Sequence, residues 1–183
     1  GTMFALDHWK VEPDIVQFAK AITSGYFPFG GIGINDRIAT TLHDAGRTWM
    51  HAYTYSGHPV GCAVALHMLR IIEDENFPEQ AATKGQYLLG ALEAALGDHP
   101  HVGNIRGKGL MCAVELVKDK ATKEAFSPGD KVGPRVNQQA LERGLFSRVK
   151  ADTYVLAPAF VITNEQLEQT VEILAASIKA ELG

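Results

Sequence analysis

The stretch Asp14-Ile15-Val16-Gln17-Phe18-Ala19-Lys20 constrains the fold more than any other part of the chain. An apolar, strand-like run (Ile15, Val16, Phe18, Ala19) delivers one lysine, and the small-residue turn Ala21-Ile22-Thr23-Ser24-Gly25 follows at once. The run reads as a buried strand over 14–19, with a second short strand at 32–34 beyond the Gly- and aromatic-rich loop 24–31. A lysine needed only for solubility has no reason to end such a run. A lysine held partly out of water does. Partial burial disfavours its ammonium form and leaves a neutral amine able to attack a carbonyl.

Further along, Asn35 and Asp36 open a short helix over 36–44, and residues 46–58 are polar, aromatic and irregular. A helix starts at Pro59, a favoured first-turn residue, and runs to about Glu75. Its small residues (Gly61, Cys62, Ala63, Ala65) suit close packing against a neighbour. The texture changes near Asn76–Phe77, where a domain junction is expected. Beyond it the layout is α+β. A helix over 77–97 carries Leu88, Leu92 and Leu96 on one face and ends at Gly97. Strands at 102–106 and 110–117 flank Gly107-Lys108-Gly109, a polar loop spans 118–130, and a helix covers 131–143. Short strands follow at 145–149 and 153–156. The last helix opens with the capping box Thr163-Asn164-Glu165-Gln166, with Leu167, Val171, Leu174 and Ile178 as its apolar face.

Composition excludes several classes of function. The net charge is −4 over 183 residues, with no basic stripe interleaved with aromatics, so nucleic acid is not an expected partner. No apolar run approaches membrane-spanning length. Cys62 and Cys112 read as two buried thiols in a reducing compartment, which gives a cytoplasmic location. His99 and His101 flank Pro100 without a third ligand nearby, so no metal site is expected. Gly30-Gly31-Ile32-Gly33 lacks dinucleotide-binding spacing and reads as a tight turn, and Gly107 and Gly109 also read as turn glycines.

Two further features join Lys20. The loop His51-Ala52-Tyr53-Thr54-Tyr55-Ser56-Gly57-His58-Pro59 offers hydroxyls and backbone N–H groups and ends at a helix start, a setting that holds a phosphate. Arg148, ten residues before Pro158, presents a guanidinium fork that matches a carboxylate. The cofactor that most often uses a buried imine-forming lysine is pyridoxal 5'-phosphate.

With Phe-Ala-Lys-Ala-Ile-Thr-Ser-Gly-Tyr-Phe-Pro-Phe-Gly-Gly and Thr-Tyr-Ser-Gly-His-Pro in this order, the whole chain resembles the C-terminal portion of class III (ω-amino acid:pyruvate type) pyridoxal-phosphate aminotransferases. The resemblance implies an α/β fold of the fold type I transferases. Residues 1–76 would be the C-terminal part of the large cofactor-binding domain and 77–183 the α+β small domain. It implies that Lys20 holds the cofactor covalently and moves a proton in catalysis. Thr54 would bind the cofactor phosphate across a dimer interface, and Arg148 the carboxylate of the keto acid acceptor. It implies a homodimer with active sites at the interface, taking a small amine donor. The family's aspartate facing the pyridine nitrogen, its glycine-serine phosphate loop and its stacking ring fall upstream of Gly1, so the chain is expected to be a fragment of a longer enzyme. An aminomutase of the same fold and a non-catalytic fragment stand as alternatives.

Overall fold

Alternation of large apolar residues with small or polar ones makes Ile15–Ala19 a strand (β1), and Gly30–Ile34 pairs with it antiparallel (β2). The computed structural model describes residues 1–183, which divide into two compact units, Thr2–Phe77 and Pro78–Gly183.

In the first unit, β1 and β2 form a two-stranded ribbon with Phe18 opposite Gly31 and Val16 opposite Gly33. The glycines are required there, because a Cβ on Gly31 would lie 2.4 Å from the Phe18 ring and one on Gly33 2.9 Å from Val16. Gly30–Gly33 is thus a strand packed beneath two bulky side chains, not the tight turn expected. The expected burial of 14–19 is also corrected: Ile15 is 52% exposed, and no residue of the run is buried. A lone ribbon has two open faces, and burial needs a second layer on each. Asp14 anchors the end of the ribbon. It pairs with Arg37 at 2.7 Å and accepts from Asn35 Nδ2 at 2.7 Å. These contacts, Arg37 first, hold its carboxyl below the ordinary carboxylate range. Asn35 also caps Asp36–Asp44 (α1) by accepting from the Ile38 N–H. Pro59–Asp74 forms α2, capped by the His58 ring.

The second unit is built on Phe77–Leu96 (α3), Val102–Lys108 (β3), Met111–Leu116 (β4), Val132–Glu142 (α4), Arg148–Lys150 (β5), Thr153–Leu156 (β6) and Asn164–Leu182 (α5). Its strands run antiparallel in the order β3-β4-β6-β5. Cys112, Val114 and Leu116 alternate inward along β4 and meet Leu88, Leu92 and Leu96 of α3 and Leu167, Leu174 and Ile178 of α5 in one core. Each such fully buried side chain contributes about 1.5–3 kcal/mol. The expected leucine stripe of α3 and the capping box of α5 are both present, with Thr163 and Gln166 bonded reciprocally. β5 starts three residues later than expected. Gly144 turns left-handed (φ +93°) and the Leu145 N–H reaches back to Ala140 O, so Leu145 closes α4 instead of opening a strand. Gly107 lies within β3 close to Cys112, whereas Gly109 is a true turn glycine at φ +55°.

Candidate active site

Lys20 stands where the extended backbone of β1 ends. Ala19 is fully extended (φ −159°, ψ −166°). Lys20 then turns to φ +56°. Left-handed backbone outside glycine costs on the order of 1–2 kcal/mol, so the turn that follows must hold it. Lys20 leads a short 3-10 turn, Lys20–Ile22. Its side chain is exposed and makes no hydrogen bond or ion pair within the chain. The partial burial expected for this amine is therefore not supplied by residues 2–77. Like the rest of the ribbon, it lacks a covering layer.

Thr54 lies at the tip of a tight turn. The Tyr53 N–H donates to Ser56 Oγ at 2.9 Å, and the Ser56 N–H donates to Tyr53 O at 2.9 Å. The Thr54 hydroxyl is left exposed and without a partner in the chain. Close by, one face of the β1–β2 ribbon opens on a cavity of about 740 Å³ lined by Ala19, Ile32, Trp49, His51, Tyr53 and Ser56 among others. The His51 ring meets Tyr53 edge-on at 5.1 Å. The structure thus brings the chain neighbours of Lys20 and Thr54 to one aromatic cavity, while Lys20 and Thr54 themselves do not line it. An aromatic-walled cavity with an amine-bearing turn and a hydroxyl-bearing loop at its margins fits a planar, phosphorylated aldehyde.

Arg148 belongs to the second unit. It is exposed on β5, the edge strand, opposite Val155. The turn that follows is clamped: Asp152 Oδ1 accepts from the Gly133 N–H of α4 at 2.8 Å, and a Cβ on Gly133 would strike Ala151 O. Arg148 makes no ion pair in the chain, so its fork is available to an incoming carboxylate. Phe27 packs: its ring lies 5.1 Å from that of His58. Tyr26 is 83% exposed.

Neither cysteine competes as a nucleophile. Burial pushes the Cys112 thiol up, away from the thiolate form. Cys62 lies half-buried and unpaired on α2. No group of three or more His, Cys, Asp or Glu side chains is placed to hold a metal ion. No helix is long and apolar enough to cross a membrane. One residue of the lysine turn escaped sequence reading. Thr23 is 1% exposed, in a segment whose composition signals only a surface turn.

Comparison with known proteins places this arrangement. A thermostable (S)-enantioselective omega-transaminase from Thermomicrobium roseum superposes with a TM-score of 0.91 at 47% identity, over 100% of this chain and 40% of that one. An amine transaminase from an uncultivated Pseudomonas species, solved in a PLP-bound form, gives a TM-score of 0.91 at 37% identity over 98% of this chain and 41% of that one. The fold is therefore that of pyridoxal-phosphate-dependent transaminases. The family model for aminotransferase class-III matches residues 1–178, and the chain belongs to that family. Among curated relatives, the putrescine–pyruvate aminotransferase of Pseudomonas aeruginosa is 37% identical over 174 residues, 94% of this chain and 38% of the relative. The chain spans about two fifths of the length of the proteins it matches.

Proposed function

We propose that the protein is a pyridoxal-phosphate-dependent transaminase moving an amino group from an ω-amino acid or amine to a keto acid such as pyruvate. The observation that carries this reading is Lys20, an unpaired amine on a left-handed turn at a strand end. It lies within the class III match. The putrescine–pyruvate relative supports the choice of donor and acceptor class.

In this reading Lys20 holds the cofactor. Lys20 Nζ, when not engaged in holding the cofactor, would serve as the base that moves a proton at the donor carbon bearing the nitrogen. A positioned base of this kind contributes about 10²–10⁴-fold. Bound pyridoxal phosphate supplies the electron sink for that proton transfer. Thr54 binds the cofactor phosphate through its hydroxyl and the N–H groups of its loop. Arg148 orients the keto acid by gripping its carboxylate with two parallel hydrogen bonds. We read residues 1–76 as the C-terminal part of the large cofactor-binding domain and 77–183 as the small domain. We also read the protein as a cytoplasmic homodimer in which Thr54 serves the partner's site. The exposed Trp49, Met50, Tyr53 and Tyr55 around that loop support an interface there.

The test is turnover of an amine panel with pyruvate by the intact, cofactor-loaded protein. Lys20→Ala is expected to abolish covalent cofactor trapping by borohydride and to lower the rate at least about 10²-fold. Arg148→Lys is expected to raise the KM for pyruvate by about 10-fold or more, because a point charge replaces a fork. A trapped adduct on another side chain, or turnover that needs no keto acid, would overturn the reading; the second result would favour an aminomutase.

A further inference from the structure

Thr23 holds both ends of the turn that begins at Lys20. Its N–H donates to Lys20 O at 3.2 Å, its carbonyl accepts from the Tyr26 N–H at 2.9 Å, and its hydroxyl donates to Phe27 O at 2.6 Å. Threonine in a turn is ordinarily exposed and does local turn chemistry. This one is 1% exposed, and Gly61 and Ala65 are the only other fully buried residues of the first unit. A hydroxyl so enclosed has no water to replace its partner, so its bond to Phe27 O is not readily exchanged for one to solvent.

Phe27 carries the connection onward. Its ring stacks at 5.1 Å and 34° on His58 and covers Gly61, where a Cβ would fall 2.8 Å from the ring. His58 in turn caps α2 by accepting from the Gly61 N–H, and its own N–H closes the preceding turn on Tyr55 O at 3.2 Å. That turn, residues 55–58, shares Tyr55 and Ser56 with the preceding turn, residues 53–56, which carries Thr54. A continuous path therefore runs from Lys20 through Thr23, Phe27 and His58 to the hydroxyl loop.

We infer that Thr23 is a positioning residue. Its hydroxyl locks the Lys20 turn to Phe27, and so sets the amine of Lys20 relative to the loop that presents Thr54. The inference rests on the reading of Lys20 as the cofactor's covalent partner. It adds that the left-handed backbone at Lys20 is held by a side chain outside the reacting groups. Displacements of about 1 Å in such a constellation cost on the order of 10²-fold in rate.

The experiment compares Thr23→Val and Thr23→Ser in the intact protein with pyridoxal phosphate. Borohydride trapping and peptide mass are first applied to the unsubstituted protein. No pyridoxyl group on Lys20 would overturn the reading of Lys20, and this inference with it. With Lys20 labelled, Thr23→Val is expected to slow covalent reloading of the cofactor by about 10–100-fold. It is also expected to shift the pH midpoint of the bound cofactor's absorbance, while Thr23→Ser, which keeps the hydroxyl, stays within about 3-fold. Reloading and absorbance unchanged in a folded Val variant would sink the inference while leaving Lys20 in its role. If Val does not fold, Thr23→Ala, which also lacks the hydroxyl, takes its place. Failure of both to fold beside a normal Ser variant would make Thr23 a stability residue and overturn the positioning role.

Discussion

Residues 78–183 shut Leu88, Leu92, Leu174 and Ile178 off from water completely, whereas residues 2–77 fully bury only Thr23, Gly61 and Ala65. The apolar content of the first unit is not lower in kind. Ile15, Trp49, Val60 and Leu66 are simply left half exposed or more. An α+β layer closes on itself, because three helices cover one face of a four-stranded sheet. A two-stranded ribbon beside two helices, one of them only nine residues long, does not close, because its elements keep apolar faces with nothing opposite. The candidate chemistry divides along the same line. Lys20 and Thr54 stand in the open unit, and Arg148 on the rim of the closed one. Anything that binds such uncovered surface in the folded state stabilises the fold in step with its affinity.

The largest effect that would break this contrast is all-or-none. Expressed alone, residues 78–183 are expected to unfold in one cooperative thermal transition, and residues 2–77 to show none, by circular dichroism. A cooperative transition in the smaller piece would overturn the comparison. Next, Leu174→Ala is expected to destabilise by about 2–5 kcal/mol, since it opens a cavity in a dry core. Leu66→Ala, at a side chain 58% exposed, is expected to stay within about 0.5 kcal/mol in the isolated chain. A large cost for Leu66→Ala in the intact protein would sharpen the contrast, by marking the α2 face as covered there.

The smallest effect concerns pH. His99 Nδ1 accepts from the His101 N–H, which puts the proton of the neutral ring on a buried Nε2 without a partner. Burial, then the charges of His101 and Lys120, push His99 below the ordinary histidine value of 6.5. The unfolded chain therefore takes up the proton first as pH falls. The stability of residues 78–183 is expected to be full above 6.5 and to decline as pH drops below it and through the lower value His99 has in the folded state. His99→Asn, which keeps an acceptor for His101, should flatten the decline in a denaturant series.

Much of the closed unit was legible in advance, and the reason is local. The α5 cap needs only Thr163 and Gln166 three residues apart, and its buried face needs only the spacing of Leu167, Val171, Leu174 and Ile178. The start of β5 was not legible, because the turn at Gly144 draws Leu145 back onto Ala140 by a bond that strand-like composition does not announce. In the open unit the lysine, the hydroxyl loop and the helix start at Pro59 were all read from composition and order. The exposure of Lys20 was not, since burial depends on what lies opposite and not on the residue itself. Gly31 and Gly33 were misplaced for a related reason: glycines beneath Phe18 and Val16 carry the same letters as glycines in a turn. Thr23 was missed because no periodicity marks a single enclosed hydroxyl.

The clamp of Asp152 on the start of α4 separates two things that most binding loops confuse. The main chain under position 148 is tethered by its neighbours, while the guanidinium itself rests on nothing. In the role proposed for Arg148, variation at this one codon would retune which acids are accepted without loosening the scaffold beneath. On that proposal, substitutions at position 148 are expected to change acceptor choice more than thermal tolerance.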